Sequence, residues 1–174
     1  LADFVHGMGL DAVVLPDLSG SLDGHVPDRH VTTSLGGTRL DAIAGMGSAV
    51  LTLAVGVQME GAAEALQRRT GVPYRMFDHV TGLAATDAFA SALIEAGGEP
   101  SPRLKRERSR LLDAMLDGHF AFSGKRCAIA AEPDLLLALS EFIAAMGASV
   151  GAAITPVAAP HLSRVPTASV VIGD

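Results

Sequence analysis

Short apolar runs alternate along this chain with longer stretches in which apolar positions recur at helical spacing. The opening LADFVHGMGL reads as the tail of an amphipathic helix. The run DAVVLPD at 11–17 reads as a strand ended by Pro16 and Asp17. A stretch rich in Gly, Ser and Asp follows to about Leu35, and Gly36 and Gly37 prolong the break. Thr38 is placed to cap a short helix, RLDAIAGMG at 39–47, with Asp41 completing an S/T-x-x-acid pattern. The strand AVLTLAVG at 49–56 leads into the helix MEGAAEALQRRTG at 59–71. In that helix the acidic residues come early, Arg68 and Arg69 come late, and Gly71 stands just past the end, as the helix dipole and a left-handed cap require. A strand, VPYRMFD at 72–78, the loop HVTG and the helix LAATDAFASALIEAGG at 83–98 complete this group.

Pro100 and Pro102 punctuate the chain before a second group begins. The sequence from Arg103 to Phe122 predicts a long helix in which Leu104, Leu111, Leu112, Met115 and Leu116 share an apolar stripe. KRCAIAAEP at 125–133 predicts a strand apolar on both faces, as a buried parallel strand is. Asp134 is placed to cap the helix LLLALSEFIAAMG, and the strands SVGAAITP and SVVIGD flank a turn at APHLSR. Strand–helix–strand repetition of this kind points to the α/β class: Rossmann-like parallel sheets with flanking helices, in parts of two consecutive domains. The divisions fall at 1–100 for the later part of one Rossmann-like domain, 101–123 for a connecting helix and 124–174 for the first part of a second.

Composition narrows the class further. Hydrophobic residues make up 49% of the 174 and aromatics only 4%, so the core is built from close-packed Ala, Leu, Val and Ile. A net charge of −6 argues against a nucleic-acid partner. The basic residues Arg103, Lys105, Arg106, Arg108 and Arg110 are the local exception, and a solvated helix face accounts for them better than a docking patch for an acidic partner. With one cysteine, Cys127, no internal disulfide forms, which suits a reducing, cytoplasmic setting. Neither a secretory signal nor a membrane span is visible.

Motifs of dinucleotide or phosphate binding, a nucleophile elbow, H-E-x-x-H and C-x-x-C are absent from the sequence. Asp17, Ser19, Gly20, Ser21, Asp23 and His25 form a loop at a predicted strand end. Glycine there permits unusual backbone angles, while Asp and Ser satisfy backbone donors. Its expected role is structural or interfacial. His25 and His30 lie near Asp17, Asp23 and Asp28, yet turn chemistry explains them more simply than a metal does. Glu132 and Asp134 sit at a strand-to-helix turn, where ligands gather in open α/β sheets, although a capping role is simpler. His79 and His119 adjoin helix ends, where capping or surface roles are usual. No catalytic residue and no metal ligand is assigned.

Several runs together resemble one family. They are LPDLSGSLDGH at 15–25, LGGT at 35–38, TLAVGVQM at 52–59, TGVPY at 70–74, TGLAATDAF at 81–89, the long RERSRLLDAMLDGHFAFSGKRCAIAAEPDLLLAL at 106–139 and the closing VVIGD. In order and character they are similar to the nitrogenase component 1 family, and within it to the scaffold subunits on which the iron–molybdenum cofactor matures. The resemblance covers essentially the whole chain, with LPDLSGSLDGH and LDAMLDGHF its most specific parts. It implies an internal piece of a protein with three Rossmann-like domains, a NifE-type partner subunit and transient contact with the nitrogenase iron protein. It also implies iron–sulfur clusters and a cofactor precursor in the parent complex, none of them held by these residues, and no catalysis by this segment alone. Cys127 matches none of the family's cluster-ligand motifs. Two other readings stand beside this one: a subunit of a nitrogenase-like oxidoreductase such as dark-operative protochlorophyllide reductase, and a periplasmic metal-chelate binding protein of similar bilobal design.

Overall fold

The computed structural model describes residues 1–22, 36–166 and 170–173. The chain opens with the short helix α1 (Ala2–His6) and the single turn α2 (Ser19–Leu22), followed by α3 (Leu40–Ala44), which tightens into a 3₁₀ turn at Gly45–Ser48. Strand β1 (Thr52–Val55), helix α4 (Glu60–Thr70), strand β2 (Tyr74–Phe77) and helix α5 (Leu83–Glu95) come next. The long α6 (Pro102–Phe122) leads to β3 (Arg126–Ala130), α7 (Pro133–Ala145), β4 (Ser149–Thr155), a 3₁₀ turn at Pro160–Arg164 and β5 (Val170–Ile172). β1 pairs with β2, and β3, β4 and β5 pair in that order, every pair parallel. Parallel strands joined through helices are the α/β class that the sequence predicts.

Local chemistry explains most of the boundaries. Gly71 ends α4 with φ of +76°, a left-handed conformation in which glycine carries no steric penalty. Ser101 caps α6 by accepting from the Leu104 N–H at 3.3 Å, and Pro102 occupies the first helical position, where its missing N–H costs nothing. The register between β3 and β4 slips after Cys127. Cys127 faces Val150 while Ala128 faces Ala152, which leaves Gly151 as the extra residue of a bulge. The Arg126 guanidinium lies over it, and a Cβ on Gly151 would stand 3.1 Å from Arg126 Nε.

Two apolar clusters hold the elements together. Val5, Met8, Phe89 and Leu93 form one, joined by Leu53, Val55, Phe77 and Leu104 at its rim. Ile129, Leu136, Leu137, Val150, Ala153, Leu162 and Val165 form the other. The tail of α1 is tied to the connection before α6 by Glu99 N–H to the Met8 carbonyl and Ser101 N–H to that of Gly7.

Four sequence expectations need correction. The run at 11–17 joins no ladder, although its exposure alternates from Asp11 to Leu15 as a strand's would. Thr38 does not cap α3: Arg39 is the cap residue and supplies no side-chain bond, while the Arg39 guanidinium grips the Asp41 carboxylate. β3 is not covered on both sides, because Ala128 and Ala130 are exposed while Ile129 is buried. The apolar stripe of α6 is only partly used. Leu104 and Met115 are half-buried, whereas Leu111, Leu112 and Leu116 are exposed.

Candidate functional site

The carboxyl ends of β1, β3 and β4 converge on a cleft of about 430 Å³ lined by Val57, Gln58, Glu132, Pro133, Asp134, Ala159, Pro160 and His161. It continues into a shallower hollow bounded by Gly56, Asp78, His79 and Thr81. Strand ends are where an open α/β sheet leaves backbone and side-chain groups free for ligands. Pro133 fixes the first residue of α7, so the residue before it becomes the cap, and the Glu132 carboxylate accepts from the Leu135 N–H at 3.3 Å. The predicted cap, Asp134, therefore stands inside the helix. Its carboxylate lies 3.0 Å from His161 Nε2. That contact is an ion-pair approach without hydrogen-bond alignment, and neither ring nitrogen of His161 has a hydrogen-bond partner. The His161 side chain is only 9% exposed and lines the cleft beside Asp134.

Three further contacts cross this region. His79 Nε2 meets Glu141 Oε2 at 2.9 Å, and its Nδ1 accepts from the Thr81 N–H at 3.2 Å. Arg164 donates to Asp78 Oδ2 at 2.5 Å. Phe142 lies over Gly82, where a Cβ would stand 3.7 Å from its ring. His79, Asp78, His161, Arg164 and Glu141 are functional candidates that the sequence reading missed. Asp78, His79, His161 and Arg164 lie in or beside segments that follow strands, whereas Glu141 lies within α7 and carries no such signal.

The loop predicted around Asp17 is a separate place. The Ser19 N–H and hydroxyl both donate to Asp17 Oδ1, at 3.1 and 2.6 Å, opening the turn α2. Those two bonds, the hydroxyl's first, hold the Asp17 carboxyl below the usual carboxylate range. The Asp17 N–H donates to Thr38 Oγ1 at 3.1 Å, and the Thr38 hydroxyl donates to the Val14 carbonyl. Gly36, at φ of +81°, approaches Gly20 so closely that a Cβ would sit 3.1 Å from the Gly20 Cα. Asp23 and His25 lie outside the described residues, as do Asp28 and His30, and Ser21 is described in backbone only. No hydrogen bond or ion pair among the described residues joins this loop to Glu132 or Asp134.

Thr38→Val is expected to lower stability by about 1–2 kcal/mol, since it leaves the half-buried Asp17 N–H without its acceptor. Urea denaturation measures this, and an unshifted midpoint would remove Thr38 from the loop's support.

The basic residues of α6 are partly neutralised at home. Arg103 pairs with Glu107 at 2.7 Å, and Arg108 makes two bonds to Asp87 on α5, at 2.8 and 2.6 Å. The Arg108 bonds hold the Asp87 carboxyl below its ordinary range. The basic run is thus in part a clamp between α5 and α6. Among the described residues no three of His, Cys, Asp and Glu gather as metal ligands would, and Cys127 is half-buried and unpaired with any sulfur. These residues do not fit an iron–sulfur cluster.

Residues 1–174 match the family model described as nitrogenase component 1 type oxidoreductase. The chain belongs to the nitrogenase component 1 family. It is 47% identical to the nitrogenase iron-molybdenum cofactor biosynthesis protein NifN of Bradyrhizobium diazoefficiens over all of this chain and 37% of that protein. The protein of the same name from a Nostoc species is 38% identical over all of this chain and 39% of its own length. Among solved structures, one titled nitrogenase Cp1 at pH 6.5 superposes with a TM-score of 0.86 and 30% identity, covering 93% of this chain and 36% of that one. The chain therefore spans two-fifths or less of the length of these component 1 relatives. The predicted membership and the α/β fold both stand. No described helix is long and apolar enough to cross a membrane.

Proposed function

We propose that this chain is a segment of a NifN-type scaffold subunit in the biosynthesis of the nitrogenase iron–molybdenum cofactor. One observation carries this reading: the relatives that align over the whole chain at 46–48% identity bear that name. On this reading residues 1–100 belong to one Rossmann-like domain, 101–123 connect, and 124–174 begin the next. The segment supplies frame and interface, and no catalytic step or cluster ligand is assigned to it. The parent complex contains a NifE-type partner subunit, is visited by the nitrogenase iron protein, holds the iron–sulfur clusters and cofactor precursor, and works in the cytoplasm. On this reading the cofactor precursor is cargo held by other parts of the complex.

Within that frame the Asp17 loop is the proposed contact with the partner or a neighbouring domain. Its form is fixed from within, by Asp17 on Ser19, by Thr38 on Asp17 and by Gly36 against Gly20, so a partner meets a preset surface. In the full-length protein, Asp17→Ala and Gly20→Val are each expected to reduce recovery of the partner about tenfold, which corresponds to roughly 1.4 kcal/mol of interface free energy. Co-purification with the partner subunit measures this. If both variants recover the partner and mature the cofactor at parental levels, the loop has no interface role.

A further inference from the structure

We propose that the outer face of α6 is the seat of a second helix, supplied by the same polypeptide outside these 174 residues. The proposal rests on the reading of the chain as a segment of a longer component 1 subunit. α6 runs for 21 residues and none of them is buried. Its attachments share one side: Leu104 joins the first cluster, Arg108 grips Asp87, and Gly118 and His119 lie against Met146 and Gly147. Leu112, Leu116 and Phe120 form a row, four residues apart, that leads away from that side. Each step of four turns a side chain about 40° further round the axis, and exposure rises along the row from 41 to 62 to 87%. A row of this spacing is the ridge that fits the groove of another helix, at a crossing of about 50°.

The size of the ridge decides what covers it. Leu112, Leu116 and Phe120 together present roughly 400 Å² of apolar surface, against about 800 Å² per partner in a stable complex of separate proteins. A second copy or another subunit seated on this ridge alone is therefore held weakly. A helix of the same polypeptide needs far less contact, because the connecting chain keeps it at a high effective concentration. There is chain enough to supply one, since these residues span only 37 and 39% of the two NifN proteins compared above. Charge sets the remaining requirement. Lys105 continues the row toward the start of α6 and, among the described residues, takes part in no ion pair. The covering helix is thus amphipathic, with an apolar row against Leu112, Leu116 and Phe120 and an Asp or Glu meeting Lys105.

Full-length protein in which p-benzoylphenylalanine replaces Phe120 tests the occupant. Irradiation is expected to give a covalent product of unchanged subunit mass, linked to a peptide outside residues 1–174. A product of twice that mass, a link to another subunit, a link within residues 1–174 or no product would each overturn the proposal. Hydrogen exchange on full-length Phe120→Lys tests the covering itself, by its sign. On a bare surface, lysine in the last turn of a helix is favourable, so exchange along α6 would slow or stay unchanged. Under a second helix it sets a charge against apolar side chains, and exchange at 108–120 is expected to speed up about fivefold or more. Unchanged or slower exchange would overturn the proposal as well. Recovery of the partner subunit by the parental protein, measured alongside, reports on the scaffold reading separately.

Discussion

Replacing Phe89 with alanine is expected to lower the unfolding free energy by about 3–5 kcal/mol, the usual cost of removing a buried aromatic ring. The ring is buried at the centre of the first cluster, meeting Phe77 edge-on at a centroid distance of 5.2 Å and Phe4 at 6.0 Å. α5, β2 and α1 all rest on it, so no single element can move in to fill the space. Equilibrium urea denaturation measures the loss. A change under about 1 kcal/mol would mean that the three elements close over the cavity, and that Phe89 is not the keystone its burial indicates.

Leu136→Ala is expected to cost about 2–5 kcal/mol in the other cluster, where Leu136 is fully buried against β3 and β4. Because no residue belongs to both clusters, the costs of Phe89→Ala and Leu136→Ala are expected to add in the double variant to within about 0.5 kcal/mol. Each change is also expected to move mainly the exchange protection of its own strands. A coupling well above 1 kcal/mol between the two sites would show a single cooperative core, and would remove the ground for dividing the chain near α6.

What the sequence made legible was the part governed by local chemistry. The order of the helices, the single turn α2 apart, and of every paired strand could be read from apolar spacing, and Gly71 from the need for a left-handed residue after α4. The cap of α7 was legible in principle and misread: Pro133 belongs at the first helical position, which makes Glu132 the cap and frees Asp134 for His161. The run at 11–17 shows the limit of such reading. It carries a strand's alternation, but a ladder belongs to two segments at once, and none of the described strands runs beside it. Thr38 illustrates the same point for side chains. A threonine before a helix can cap it or bond elsewhere, and only the position of Asp17, 21 residues away, decides. The cleft was invisible for a related reason. Its histidines and carboxylates come from turns as far apart as Asp78 and Arg164, brought together by tertiary packing alone.

The bulge at Gly151 has a consequence for how the second sheet can grow. Among the described strands β3 and β5 flank β4 on its two sides. On the β3 side the strand follows the twist set by the bulge in β4 and carries the Arg126 guanidinium, two features that discourage pairing with a foreign strand. On the β5 side Val171 and Ile172 are exposed beside the exposed Ile154, with no charge among the three. Of the two flanking strands, β5 is thus the one whose chemistry favours a further strand beside it and β3 the one that resists it. A lysine at Val171 would close the β5 side without disturbing the β3 side.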